Sequence, residues 1–285
     1  MDEKIQLADG QPASPAAEQG APAPEGVGEP IESGIPAAAD AGQEAVLSGM
    51  HAPPAPDLAV ISEKRSVSRQ VASKWVKTSV LLQDQRIARH IPETRMYSRE
   101  NAEAMLNRYG KIVLKPVVGT GGSGVIMITK TGTLYSLRYQ RRLRRYRSFA
   151  ALMAAVDRIK RKRSYLVQRG ISLATIRGRP IDYRVKVVKQ NKRWVTRAMV
   201  GRLANPGLFV TNLCRGGKML SSAEGIRRSL PRAGVRNKKN EMRQVTRIGT
   251  QLMERHFPGI RELGFDYGFD RAGYLWIFEV NTRPH

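Results

Sequence analysis

Cysteine is almost missing from this 285-residue chain, in which Cys214 stands alone. One cysteine excludes an intramolecular disulfide and any Cys-rich zinc site, and makes a reducing interior the expected setting. No apolar run approaches the ~18 residues that a membrane span requires. The start, Met1-Asp2-Glu3-Lys4, lacks the basic opening and apolar core of a secretory signal. A soluble, cytoplasmic protein is expected. Acidic residues are also scarce, except at the beginning: residues 1 to 63 hold eleven Asp or Glu against one Lys. The formal charge of the whole chain is +25, so the remainder carries 48 basic against 13 acidic residues, a formal +35. A field of that sign attracts phosphates, nucleic acid or acidic polymers, and bears on association rather than on fold.

The length suggests about one or two domains. Residues 1–65 are rich in Ala, Pro, Gly and Glu and show no sustained apolar period, which predicts a disordered acidic tail. Beyond it, Trp75, Val76, Val80, Leu81, Leu82, Ile87 and Ile91 suggest one or two short helices that Pro92 stops. Ser98 before Arg99-Glu100-Asn101 reads as a helix cap, and Gly110 as the stop of that helix. Ile112 to Val118 is a strand. After a glycine-rich turn, strands follow at Val125 to Thr129 and Leu134 to Tyr139. Phe149, Leu152, Met153, Val156 and Ile159 mark a helix. Further strands are expected at Tyr165 to Gln168, Asp182 to Lys189, Trp194 to Val200, Gly264 to Phe269 and Tyr274 to Asn281, with a helix over Asn240 to His256. Helices and hairpins alternate without a repeating βαβ rhythm, so the fold class is α+β.

Gly119-Thr120-Gly121-Gly122-Ser123-Gly124 fits GxGxxG, whose glycines let backbone N–H groups reach phosphate oxygens. A dinucleotide site would need a helix directly afterwards, but Val125 to Thr129 reads as a strand. A Walker A loop would need Lys and then Ser or Thr where Val125 and Ile126 stand. A nucleophile elbow at Ser123 would need glycine at Val125. A glycine loop between two strands remains, placed to close over phosphates as a flap. Lys115, four residues before Gly119, supplies a fixed positive charge to the same phosphates. The plain alternative is a solvent-facing lysine at a strand end.

In Phe265-Asp266-Tyr267-Gly268-Phe269 the aromatics share one strand face and Asp266 takes the other, while Glu279 and Asn281 share a face of the following strand. If Phe269 pairs with Tyr274 across the Asp270 to Gly273 turn, Asp266 lies opposite Ile277 and diagonal to Glu279. Asp266, Glu279 and Asn281 then project from one surface. Oxygen ligands without His or Cys suit magnesium. An amphipathic hairpin with a polar solvent face would look the same. By the same period, Asp182, Arg184 and Lys186 share a face where cations would hold a transferring phosphate or a substrate carboxylate; a charged edge strand is the alternative.

Taken in order, Lys115-Pro116, the glycine flap, Tyr165 to Ile171, Asp182-Tyr183-Arg184, Asn212 and Glu279-Val280-Asn281 resemble the ATP-grasp superfamily. Ile91-Pro92-Glu93-Thr94 and Thr211 to Gly217 narrow the likeness to the endospore coat-associated ATP-grasp proteins. The resemblance implies an ATP-grasp domain over 66–285 with two α+β subdomains enclosing a nucleotide cleft. Residues 66–168 would supply the leading helices and the central subdomain with the flap, and 169–285 the C-terminal subdomain with the magnesium site. It implies ATP held by Lys115, Gly119, Gly121, Gly122, Ser123, Gly124, Asp182 and the segment Gln168, Arg169, Gly170 and Ile171. Arg184, Lys186 and Asn212 would serve catalysis, and Mg2+ would sit on Asp266, Glu279 and Asn281. The implied chemistry is phosphorylation of a carboxylate and attack of an amine on the acyl phosphate, by positioning and charge neutralisation. Implied partners are a carboxylate and an amine substrate, among them an acidic peptide or polymer, and spore-coat proteins.

Three other classes stand beside this reading. A kinase is disfavoured, because Asp266-Tyr267-Gly268 has no HRD-like loop before it. A nucleic-acid binder is suggested by Arg138 to Arg147 and Arg158 to Arg163, although such runs are often only solvated. A structural coat protein would retain the fold without turning over nucleotide.

Overall fold

The computed structural model of the protein describes residues 68–211 and 213–284; the expected acidic tail 1–65, Asn212 and His285 lie outside the described residues. The hydroxyl of Ser73 accepts from the Val76 amide at 3.3 Å and starts α1 (Lys74–Leu81), which leads to α2 (Gln85–Ala88). A short strand, β1 (Thr94–Met96), precedes α3 (Arg99–Tyr109). Ser98 caps α3 by accepting from the Asn101 amide at 3.0 Å, and Gly110 ends it in the left-handed region at φ 65°.

The chain then runs through β2 (Lys111–Pro116), β3 (Ile126–Thr131), β4 (Leu134–Tyr139), β5 (Arg142–Tyr146), α4 (Phe149–Lys160) and β6 (Tyr165–Arg169). These strands and β1 form one sheet, all of its pairs antiparallel, in the order β1-β6-β2-β3-β4-β5. Alternation along β2 buries Ile112 and Leu114 against Met105, Leu106, Leu152 and Val156 of α3 and α4. Lys111, Val113 and Lys115 are left on the opposite face.

The second half contains β7 (Thr175–Ile176), β8 (Arg179–Gln190), β9 (Arg193–Leu203), β10 (Lys218–Ser221), α5 (Ser222–Ser229), α6 (Val235–His256), β11 (Glu262–Phe269) and β12 (Leu275–Asn281). Its sheet has the order β10-β9-β8-β11-β12, with β7 paired to the start of β8. One face, carrying Tyr183, Val185, Phe265 and Tyr267, packs on α5 and α6. Gly249 of α6 permits this approach, since a Cβ there would lie 2.7 Å from the Phe265 ring. Each fully buried large side chain contributes about 1.5–3 kcal/mol, so the two cores separately support their sheets. The result is the α+β architecture expected from the sequence.

Three details depart from the sequence expectation. Val80, Leu81, Ile87 and Ile91 of the leading helices belong to the second core, not to that of the central subdomain, because α1 packs on α6 and β12. The basic run after Tyr139 forms β5, and α5, β1 and β10 are further elements too short for a periodic signal. The register of the last hairpin also differs. Phe269 pairs with Leu275, and a bulge places Asp266 opposite Glu279 rather than Ile277.

Candidate functional site

The faces of the two sheets not covered by helices line a common cleft of about 940 Å³. Lys115 reaches it from β2, Gly119 to Ser123 from the β2–β3 loop, and Glu279 and Asn281 from β12. The Lys115 ammonium donates to Gln168 Oε1 at 2.6 Å and lies 3.5 Å from the Phe278 carbonyl oxygen. Gln168 is itself fixed, because its Nε2 donates to Thr94 Oγ1 at 2.8 Å. Burial pulls the Lys115 pKa down to about 8, against the pull of Glu279 that favours the charge. An ammonium held this way is poised to gain from a polyanion in the cleft.

The hairpin bulge decides which way Glu279 points. Strict alternation would put Glu279 on the face of Leu275 and Ile277, both of which are buried in the second core. The extra residue, Phe278, shifts the phase by one, so Phe278 and Glu279 both line the cleft while Val280 returns to the core. Asn281 then donates from Nδ2 to Asp266 Oδ2 at 3.3 Å, drawing the polar residues of β11 and β12 together.

Behind them lies a buried ionic cluster. Arg202 donates to both oxygens of Asp182, at 2.7 and 2.6 Å, and from Nη2 to Asp266 Oδ1 at 2.9 Å. Arg184 adds a two-point contact to Asp266, through Nε to Oδ1 and through Nη2 to Oδ2 at 3.0 Å, and Thr211 Oγ1 donates to Asp182 Oδ2. Burial opposes charge on Arg202, but Asp266 and Asp182 outweigh it and raise its pKa. Burial likewise raises the Asp182 pKa against the pull of Arg202. The donors facing both Asp182 oxygens fit the ionised carboxylate, because a carboxyl proton would have to point at another donor hydrogen.

Most expected site residues therefore meet at one place. Lys115, Gly119, Gly121, Gly122, Ser123, Gln168, Arg169, Ile171, Asp182, Arg184, Lys186, Asp266, Glu279 and Asn281 all line the cleft. Gly124 and Gly170 do not line it and serve packing instead. A Cβ on Gly124 (φ +76°) would lie 2.7 Å from Tyr165 Oη, and one on Gly170 2.4 Å from Lys111 Cγ. Asp266, expected as a metal ligand, is engaged by Arg184 and Arg202. Among the described residues no three His, Cys, Asp or Glu side chains are grouped as a metal site.

No sequence pattern marks Lys74, whose ammonium contacts Glu279 Oε1 at 3.2 Å and donates to the Gly119 carbonyl at 2.5 Å. It thereby ties the flap to the carboxylate hairpin. Lys77, one turn on, is buried, and that burial lowers its pKa against the pull of Glu279. Arg202 was overlooked because β9 runs to Leu203, beyond the expected end at Val200. No helix among the described residues is long and apolar enough to cross a membrane.

Residues 64–285 match the family described as YheC/D like ATP-grasp. Two proteins of Bacillus subtilis (strain 168) are similar in sequence. The endospore coat-associated protein YheD is 27% identical over 220 residues, covering 74% of this chain and 48% of YheD. The endospore coat-associated protein YheC is 23% identical over 228 residues, covering 76% and 61% respectively. The chain thus spans about half to three-fifths of the length of these relatives. Among solved structures, carboxyaminoimidazole ribonucleotide synthase from Aspergillus clavatus complexed with ATP aligns with a TM-score of 0.49 at 13% identity, covering 76% of this chain and 46% of that one. With more than three-quarters of its length matched in sequence, and with its two sheets enclosing a cleft lined by the glycine loop, Lys115 and Glu279, the chain belongs to the YheC/D-like ATP-grasp family.

Proposed function

We propose that the chain binds Mg-ATP in this cleft and acts as an ATP-dependent carboxylate-amine ligase. A substrate carboxylate oxygen attacks the γ-phosphorus and ADP leaves; an amine nitrogen then attacks the acyl carbon, inorganic phosphate departs with its bonding electrons, and the nitrogen gives up one proton to the departing phosphate or to water. One observation carries the reading: Lys115, the Gly119 to Ser123 flap and Glu279 open on one cleft, with Lys74 touching both flap and carboxylate.

In this reading Lys115 holds phosphate oxygens and the flap amides close over them. The backbone of Gln168, Arg169 and Ile171 takes the adenine. Arg184 and Lys186 neutralise charge on the transferring phosphoryl group, Asn212 donates an amide hydrogen bond to it, and Asp182 keeps the cluster behind them rigid. Glu279 and Asn281 fit magnesium, which accepts a few protein oxygens beside waters and phosphates. Asp266 would join them only by loosening its contacts with Arg184 and Arg202. The metal, when bound, screens the charge between phosphates. Association with the spore coat is proposed on the names of the two relatives alone.

Thermal unfolding tests nucleotide binding. Mg-ATP should raise the Tm, by about 2.7 kcal/mol of stabilisation at a hundred times Kd, and Glu279→Gln should remove most of that gain. An unchanged Tm at millimolar Mg-ATP would end the reading. ADP release, screened against amino acids, acidic peptides and polyglutamate-like acceptors, tests the ligase step.

A further inference from the structure

The β4–β5 hairpin carries Arg138, Arg141, Arg142, Arg144, Arg145 and Arg147 within ten residues and holds no Asp or Glu. None of the six forms an ion pair among the described residues. All but Arg138 are exposed. β5 ends its sheet, with β4 as its single neighbour, so one backbone edge is open among the described residues.

The register connects this edge to the cleft. Val113 pairs with Met127, Met127 with Arg138, and Arg138 with Leu143. Directly paired residues share a sheet face, and Val113, Met127 and Arg138 line the cleft. The cleft face therefore continues through Leu143, which is 47% exposed, and Arg145 to the free edge. Charge alone would keep an edge from pairing with another copy. That role requires neither continuity with the cleft nor an all-arginine composition, which suits two-point recognition of carboxylates.

We propose that β5 docks an extended acidic polypeptide. Its backbone pairs with the open edge, its alternating Asp and Glu side chains meet Arg145 on the cleft face and Arg142 and Arg144 on the opposite face, and a carboxylate passes Arg138 into the cleft. This rests on the ligase reading and makes the carboxylate substrate part of a macromolecule. A single-stranded nucleic acid fits less well, since base stacking needs open aromatic faces. Tyr135, Tyr139 and Tyr146 are half-buried against the core, and the exposed apolar residue of β5 is Leu143.

The full chain tests this by fluorescence anisotropy with three probes: a labelled polyglutamate peptide, the same peptide N-methylated at alternate residues, and a single-stranded RNA of equal charge. The peptide should bind best, and alternate N-methylation should weaken it by removing edge hydrogen bonds. A triple Arg142→Ser, Arg144→Ser, Arg145→Ser variant should bind it about tenfold more weakly, the sum of three exposed charge pairs, with an unchanged Tm and an unchanged Mg-ATP shift. Arg145→Glu alone should weaken it in the same direction. Equal peptide binding by variant and parent, indifference to N-methylation, or tighter binding of the RNA would overturn the proposal. Peptide binding at the edge without any Mg-ATP shift in the parent would refute the ligase reading and leave the docking site standing.

Discussion

Lys115→Met removes an ammonium that the fold holds at a disadvantage. Burial lowers its pKa from the ordinary 10.5 to about 8, although Glu279 favours the charge. At ~1.4 kcal/mol per pH unit, the protonated form carries a penalty of at most about 3.5 kcal/mol. Because the folded-state pKa is the lower one, the unfolded chain binds more protons between pH 8 and 10.5, and stability rises with pH across that window. At pH 7 the whole penalty is present. Methionine removes it but leaves Gln168 Oε1 without its 2.6 Å donor, a loss of about 1–3 kcal/mol. The variant should therefore be as stable as the parent at pH 7 or up to about 2.5 kcal/mol more stable, a Tm gain of at most about 10 °C for a domain of this size. Scanning fluorimetry with and without Mg-ATP measures both effects. The advantage should shrink from pH 7 to 10 as the parent sheds its proton, and the Mg-ATP shift should disappear. A variant several degrees less stable at pH 7 would refute the burial argument, and an undiminished Mg-ATP shift would refute the role of Lys115.

Gly124→Ala should destabilise by about 1–3 kcal/mol through its left-handed backbone and the contacts with Tyr165 and Pro116. Gly132→Ala, also left-handed but open around its Cβ position, should lose only about 1 kcal/mol; equal Tm losses would show that the contacts at the flap base do not matter. Arg202→Leu should lower stability in denaturant by about 3–5 kcal/mol at pH 7, because it strands Asp182, whereas Asp266 keeps Arg184. That loss should shrink in acid as the stranded Asp182 carboxylate protonates, and a loss below about 1 kcal/mol would mean that the cluster is solvated. ATP affinity should weaken from pH 7 to 9 as Lys115 loses its proton, as isothermal titration would show; a flat profile would remove the ammonium from the phosphate site.

Much of the site was legible because β2, β8 and β11 follow simple alternation. Lys115 faces away from Ile112 and Leu114, and Asp182, Arg184 and Lys186 share the cleft face. The bulge at Phe278 was not legible, since Trp276 to Val280 contain no Gly or Pro to mark it. Glu279 reaches the cleft for a reason the period-two rule does not supply. Lys74 escaped notice because a two-turn helix advertises its apolar side, here Val80 and Leu81, and says nothing about the strand its first turn will meet. β5 was hidden by its composition: its exposed arginines give no alternation, and pairing with β4 alone makes it a strand. The placement of α1 and α2 in the second core is a long-range packing outcome that local periodicity does not encode.

The Lys74–Glu279 contact, with the Val71 amide donating to Thr282 Oγ1 at 2.8 Å across 211 positions, joins α1 to the β12 end of the second sheet and so sets when the flap can be tied down. During synthesis the flap and its lysines leave the ribosome long before β12 does. Domains acquire their fold as units while the chain emerges, so the flap stays without its tie to Glu279 until β12 has followed it out and paired.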